Sequence, residues 1–157
     1  MINNHFLNIQ LNTHEINSLF QKWKNFKNFT EKLFKIKIFM NIKSKKIEFK
    51  SSYKLISLNW FMIKKYTEAV IIGFPVTEAS LMLFYDNIYV KSIRLKNNIR
   101  NKKKFSRINS LFIGKKGVVK MNIEINAKVR LIIAHSQIHL MGTYKNIKKA
   151  ELIISNL

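Results

Sequence analysis

The sequence predicts an α+β fold of two similar modules in tandem, and three observations carry that reading. Apolar residues make up 47% of the 157-residue chain, enough to fill a core, which excludes wholesale disorder. Short runs that alternate apolar with polar, the mark of half-buried strands, are interspersed with longer runs at helical spacing. The order strand, helix, strand, strand, helix is legible on each side of residue 86, with no linker rich in Pro, Gly or Ser between the halves. One module is therefore expected over 1–86 and a second over 87–157.

In the first half, Phe6 to Leu11 alternates loosely and reads as a strand. Asn12 and Thr13 offer an N-cap, although Thr13-His14-Glu15-Ile16 lacks the closing Glu of a capping box. Ile16, Leu19, Phe20, Trp23 and Phe26 then mark one face of a helix over 13–29. From residue 33, Phe34, Ile36, Ile38 and Met40 or Ile42 alternate with Lys35, Lys37 and Asn41, a half-buried strand. A Lys-rich turn at 43–46 leads to a second strand through Ile47 and Phe49, so residues 33–50 read as a hairpin. Residues 55–72 contain no breaker and predict a largely buried helix ending at Gly73. Pro75 suits the first turn of another helix, Val76 to Phe84, closed by Asp86 and Asn87.

The second half repeats the plan. Ile88 to Leu95 is a strand with Ile88, Val90 and Ile93 turned inward, and Lys96–Lys104 is a basic loop. Phe105 to Ile113 and Val118 to Asn126 are helical, separated by the short loop Gly114–Gly117. Val129 to Ala134 and Ile138 to Met141 are strands, the second stopped by Gly142. Tyr144 to Leu157 is an amphipathic helix using Ile147, Ala150, Leu152 and Ile154.

Composition narrows the function. The chain has no Cys, hence no disulfide framework, thiolate nucleophile or Cys-ligated zinc. No apolar run approaches the roughly 18 residues of a membrane span, and residues 1–10 lack the features of a secretory signal. We expect a soluble intracellular protein. Its 29 Lys and Arg against 8 Asp and Glu give a formal charge of +21, which calls for a polyanionic partner, nucleic acid ahead of an acidic membrane. Lys alongside abundant Ile and Asn is also what AT-rich codon usage produces, so the position of the charge tells more than its total. Residues 1–86 carry a net +7 and residues 87–157 a net +14, with all 4 Arg in the latter. Arg forks onto phosphates and stacks on bases.

The most informative segment is Gly114-Lys115-Lys116-Gly117, a G-x-x-G loop between two helices with Ile113 before it. Two glycines let the backbone turn sharply and let a sugar-phosphate chain approach. The following helix presents free N–H groups and the positive end of its dipole, with Lys115, Lys116 and Lys120 adding charge. A lone G-x-x-G is as well read as a C-cap glycine and a turn. Followed by a helix, two strands and a helix, it is the loop by which KH domains clamp about four nucleotides of single-stranded RNA. The strand Val129–Ile133 would form the other wall of the groove, with Arg130 at its rim.

The stretch IGKKGVVKMNIEINAKVRLIIAHSQIHLMGTYKNIKKAELIISNL resembles the C-terminal KH domain of the partner-of-Nob family, eukaryotic and archaeal small-subunit ribosome assembly factors related to Krr-type KH proteins. The segments KMNIEIN, RLIIA, IHLMG and YKNIKKA carry the likeness. Upstream, FKIKIFMNIKSKKIEFK resembles the hairpin of the family's first, KH-like domain, and IIGFPVTEASLMLFYDNIYVKS its interdomain helix and next strand.

The resemblance implies two tandem type I KH-like modules, the first degenerate and lacking G-x-x-G. It further implies a non-enzymatic factor that binds the small-subunit rRNA precursor near its 3′ end. Such a factor supports processing by the Nob endonuclease, works with other pre-ribosomal factors, and resides in the nucleus and nucleolus, from where it can accompany pre-ribosomes to the cytoplasm. No cofactor, small-molecule substrate or membrane partner is expected. By position, Gly114, Lys115, Lys116 and Gly117 match the RNA-clamping loop. Ser106 and Arg107 match the Ser-Arg of the preceding helix, Lys120 the basic residue after the loop, and Arg130 the Arg opening the second strand. Lys116 stands where the family usually has Gly, and the family's N-terminal extension and C-terminal tail are absent from these 157 residues. The competing reading is a structural ribosomal protein, an organellar one included.

Other constellations are weak. His135 and His139 are separated by a turn, with no third ligand close in sequence. The sole Asp86 and the scattered Glu residues offer no paired carboxylates for hydrolysis. Glu124 lies four residues from both Lys120 and Lys128, which reads as a helix salt bridge. Trp23 and Trp60 fall on apolar helical faces and read as core. The Lys102–Lys104 run is a candidate phosphate contact, and the first module, having no glycine loop, is expected to dock protein.

Overall fold

Alternating apolar runs become two small antiparallel sheets in the computed structural model, which describes residues 6–51, 60–94, 110–134 and 137–156. The chain divides into two units, Met1–Phe84 and Tyr85–Leu157. The first holds β1 (Phe6–Gln10), α1 (Thr13–Phe34), β2 (Ile36–Asn41), β3 (Lys46–Ser51), α2 (Trp60–Ile72) and the single turns α3 (Val76–Ala79) and α4 (Leu81–Phe84). The second holds β4 (Ile88–Arg94), a helical turn over 110–113, the 3-10 turn Lys115–Gly117, α5 (Val118–Ala127), β5 (Arg130–Ala134), β6 (Gln137–Thr143) and α6 (Tyr144–Ser155). In each unit the third strand is central and the first and second are the edges. Among the described residues no helix is long and apolar enough to cross a membrane.

In the first unit the capping box is complete, one residue earlier than the sequence suggests. Asn12 Oδ1 accepts the Glu15 N–H at 2.9 Å, and the Asn12 N–H donates to Glu15 Oε2 at 2.7 Å. Two N-terminal amides are thereby satisfied. The helix runs past its expected end at residue 29 to Phe34, so Phe34 is its last residue rather than the first of the strand. Lys35, at φ 52° and ψ 38°, stops it. Ile16, Leu19, Phe26 and Thr30 are buried, whereas Phe20 and Ile42, expected inside, are exposed. Phe20 lies about 100° round the helix from Leu19, off the stripe that meets the sheet.

That stripe packs on Ile38, Ile47 and Phe49 of the sheet and Tyr66 and Val70 of α2, all fully buried. Phe26 stacks on Tyr66 with centroids 5.5 Å apart and meets Phe49 edge-on at 6.4 Å. Such pairs add to the burial energy. The Tyr66 hydroxyl finds Thr30 Oγ at 3.2 Å, and that hydroxyl donates to the Phe26 carbonyl at 2.6 Å. At its C-terminal end, α2 is held by α1. Ser18 Oγ donates to the Ile71 carbonyl and Lys22 Nζ to the Gly73 carbonyl, both at 2.7 Å, satisfying acceptors that a helix end leaves open. The expected helix over 76–84 is split at Ser80. The Ser80 hydroxyl donates to the Thr77 carbonyl at 2.7 Å, competing for an acceptor that the helical ladder needs.

The second core comprises Phe112, Ile123, Leu131, Ile138, Leu140 and Ile147 with their smaller neighbours. Register corrects the expected facing of β4. Ile93 lies opposite Ile138, and Lys91 opposite Leu140, so Tyr89, Lys91 and Ile93 share the helix side and Ile88 and Val90 turn away. Lys91 tolerates this row because its ammonium pairs with Glu151 of α6. Lys91 first, and then Lys148, hold the Glu151 carboxyl below its ordinary pKa. Gly142 does not stop β6, which continues to Thr143, the N-cap of α6. A Cβ on Gly142 would lie 3.1 Å from Val129 Cγ1, so the glycine permits close strand packing. Leu152, expected on the apolar face of α6, is exposed, and Ile153 takes its place beside Ile154.

Burial pushes the Tyr66 phenol up to about 12. The fold favours the neutral phenol, so its stabilisation is complete below pH 10 and is lost as pH rises through about 12. Urea midpoints of the native chain should fall faster between pH 10 and 12 than those of Tyr66→Phe. Parallel curves would exclude this role for the phenol.

Candidate nucleic-acid interface

The site begins at the corner where a helix turns into an edge strand. α5 ends at Ala127, and Lys128 takes the left-handed conformation with φ 54° and ψ 49°. The chain then enters β5, whose outward amide at Leu131 has no partner strand among the described residues. The Leu131 N–H donates to Glu124 Oε1 at 2.9 Å, while Glu124 Oε2 lies 3.8 Å from Arg130 Nη1. Glu124 is therefore not a bridge to Lys120 and Lys128. An edge amide demands an acceptor, and a carboxylate on the preceding helix supplies a charge-assisted one.

The first unit builds the same corner. Glu31 Oε1 accepts the Ile38 N–H at 2.8 Å, and Lys35 is the left-handed residue between them. Glu, Lys four residues on and a strand amide seven residues on recur at identical spacing. The burial pattern recurs as well. Ile36, Lys37 and Ile38 match Val129, Arg130 and Leu131 as buried, exposed, buried. This repeated spacing was the available signal for the role of both glutamates.

Carried back along the helix, that correspondence sets residues 21–24 against Gly114–Gly117. In the first unit Gln21-Lys22-Trp23-Lys24 continues α1 unbroken, with Lys22 engaged on Gly73 and partly desolvated, which lowers its pKa. Trp23 leans on Phe26 with centroids 6.0 Å apart. In the second unit the helix breaks. Gly114 closes the turn over 110–113 by donating its N–H to the Ser110 carbonyl at 2.8 Å, and its own φ of 72° and ψ of 176° lie in a region open essentially to glycine alone. A Cβ there would sit 2.9 Å from the Val119 nitrogen.

Lys116, at φ 56° and ψ 24°, is left-handed without being glycine, a strain of about 1 kcal/mol or more. The resemblance leads one to expect Gly at this position, and glycine adopts a positive φ without that strain. Gly117 has φ 78° and ψ 11°, and a Cβ on it would meet nothing within 4 Å. Its N–H donates to the Gly114 carbonyl at 3.2 Å, and α5 starts at the next residue.

Lys115 and Lys116 are exposed on this turn and Lys120 is half-buried one helical turn later. The first turn of α5 has no acidic residue. The positive end of the helix dipole thus faces outward, with ammonium groups around it and nothing on its first turn to neutralise it, an arrangement suited to an anion. Leu111, Ile113, Val118 and Met121 are exposed beside the loop. Of the residues expected at the site, Gly114 to Gly117 and Lys120 come together here, and Arg130 lies on the β5 edge with Glu124. Ser106, Arg107 and Lys102–Lys104 lie outside the described residues, as does His135. His139 is buried, its Nδ1 2.8 Å from Ser92 Oγ, and among the described residues no three His, Cys, Asp or Glu side chains gather into a metal site.

The two glycines differ in what they permit. Gly114→Ala should lower unfolding stability by about 3 kcal/mol, combining backbone strain with a clash at Val119. Gly117→Ala should cost only about 1 kcal/mol, for the left-handed backbone alone. Equal losses in denaturant titrations would contradict this geometry.

Residues 89–157 match the family model of the second KH domain of PNO1, described as a eukaryotic-type KH domain (KH-domain type I). The chain is 28% identical over 151 residues to the pre-rRNA-processing protein PNO1 of Chaetomium thermophilum, covering 94% of this chain and 58% of the relative. It is 31% identical over 125 residues to the RNA-binding protein pno1 of Dictyostelium discoideum, covering 78% of this chain and 52% of the relative. The chain thus spans little more than half the length of these relatives. A chain from the crystal structure of the a/eIF2alpha–aDim2p–rRNA complex of Pyrococcus horikoshii OT3 superposes with a TM-score of 0.73 at 21% identity, over 95% of this chain and 82% of that one. At that identity the likeness speaks for the fold. A type I KH strand order, a glycine-flanked turn at the head of α5 and the match over residues 89–157 show that the second unit is a KH domain similar to the second KH domain of PNO1.

Proposed function

We propose that the chain is a non-enzymatic RNA-binding assembly factor of the small ribosomal subunit, made of two tandem type I KH-like modules. The carrying observation is the Gly114–Gly117 turn, an exposed double-lysine break at the N-terminus of α5, whose first turn has no acidic residue. The second module clamps a short single-stranded segment of pre-rRNA near its 3′ end. The backbone amides of Lys115 and Lys116 and the ammonium groups of Lys115, Lys116 and Lys120 hold the sugar-phosphate chain. Arg130 and the apolar groove beside the loop contact bases, with Ser106 and Arg107 on the preceding helix as further contacts.

The first module is degenerate. Its unbroken α1 engages Lys22 internally and offers no such seat, so that helix serves to dock protein. Partners are the Nob-type endonuclease, whose cleavage of the precursor the bound chain supports, and other pre-ribosomal factors. No cofactor, small-molecule substrate or membrane enters this scheme, and the site of action is the nucleus and nucleolus. The names of the relatives, an RNA-binding protein and pre-rRNA-processing proteins, support this reading.

Gly117→Asp tests the loop because the space at Gly117 accepts a side chain while its carboxylate would enter the phosphate seat. In fluorescence anisotropy with an oligonucleotide from the rRNA 3′ end, affinity should fall at least about tenfold with the fold retained, and an unchanged Kd would refute the assignment. Affinity of the native chain should also drop steeply with added salt, since phosphate contacts release counterions. Cosedimentation with precursor particles, and not with translating ribosomes, separates an assembly factor from a structural ribosomal protein.

A further inference from the structure

The outer face of the first sheet carries side chains that its folding does not require. The inner face is closed by Ile36, Ile38, Ile47 and Phe49, and the solvent face of an antiparallel sheet is ordinarily polar. Here register places Phe6, Lys50 and Lys37 in one row across the three strands, Asn8, Glu48 and Phe39 in the next, and Gln10, Lys46 and Asn41 in the third. Phe6 is 53% and Phe39 48% exposed. Lys50 Nζ lies 5.3 Å from the centre of the Phe39 ring, and Lys27 Nζ, reaching over from α1, lies 6.0 Å from it. Glu48, 3.3 Å from Lys50, is the single carboxylate in the three rows.

We propose that this face is a second binding site for single-stranded RNA, in which bases stack on Phe6 and Phe39 and Lys37, Lys46 and Lys50 neutralise the phosphates. Exposed aromatics on a sheet with basic neighbours make a stacking platform of this kind, because every base has a π-face and the lysines track the backbone. The two rings stand on opposite edges of the sheet and one row apart, about 12 Å from each other across β3, so they receive different bases. Charge decides the class of occupant. Three lysines against one glutamate favour a polyanion over an apolar protein surface. Contacts between ammonium groups and Phe39 are weak at an exposed site, about 0.5–1 kcal/mol, so phosphates displace them readily. The site is independent of the Gly114–Gly117 loop and rests on the proposed function only in taking RNA as the ligand.

The test uses the full chain with oligouridylates of 4 and 12 nucleotides, measured by fluorescence anisotropy. Phe6→Ala combined with Phe39→Ala should weaken the 12-mer about tenfold and the 4-mer less than twofold, with thermal unfolding unchanged because both rings are exposed. Lys37→Glu should weaken the 12-mer likewise, and Phe39→Tyr should restore binding. Ultraviolet crosslinking of the 12-mer should mark the peptide over 36–50. A 12-mer affinity within twofold of native for the double-alanine variant overturns the proposal, as does loss of protein-partner capture with RNA affinity intact. Gly117→Asp separates the two sites. If it leaves both probes bound as before, the loop reading fails while the phenylalanine result still decides this one.

Discussion

Each unit is held together by a glutamate that reaches from the end of a helix to an amide on the edge of a sheet. Glu31 and Glu124 accept the N–H groups of Ile38 and Leu131 at 2.8 and 2.9 Å. In both cases a lysine in the left-handed conformation turns the chain between helix and strand. The contact fixes where the helix ends relative to the register of the strand. A slip of one residue would turn Ile36 and Ile38, or Val129 and Leu131, to solvent and bring Lys37 or Arg130 inside. The carboxylate thus protects an exposed strand edge and sets the phase of the core from which the remaining elements take their positions.

From that shared corner the two units diverge at one place, the middle of the helix that precedes it. In the first, residues 21–24 continue the helix, and Lys22 spends its charge on the open carbonyl of Gly73. In the second, three of four residues adopt positive φ, and the lysines among them stay in water. Backbone strain of that kind persists where the surrounding structure over-determines it, and it concentrates at functional sites. The consequence is an α5 N-terminus flanked by exposed lysines, with no acidic residue in its first turn. It stands in the half of the chain that holds a net +14, where mutual repulsion is relieved by an anion.

The two sheets also differ in what their outer faces carry. Opposite the core side of β6, His139 and Met141 are buried, whereas the corresponding face of the first sheet presents phenylalanine and lysine to solvent. Alternation produces both patterns equally well, because a period of two says which residues share a face and nothing about what lies beyond it.

How much was legible follows from the range of each force. Local regularities were readable from the sequence. Alternation in β2 and β3 named Ile36, Ile38, Ile47 and Phe49 as inward, the glycine spacing located the loop, and the order of elements set the fold class. Tertiary structure decided the rest. Phe20 and Leu152 sit close to apolar stripes but just off the line of contact. The facing of β4 came from its pairing with β6 across more than forty residues, which forced Lys91 to the core side, where Glu151 receives it. Glu124 had two lysines at helical spacing and chose a strand amide, since an unpaired edge N–H is worth more to a carboxylate than an exposed ammonium in water. A residue's neighbours along the chain are written in the sequence. Its competitors for the same hydrogen bond exist only once the chain has closed.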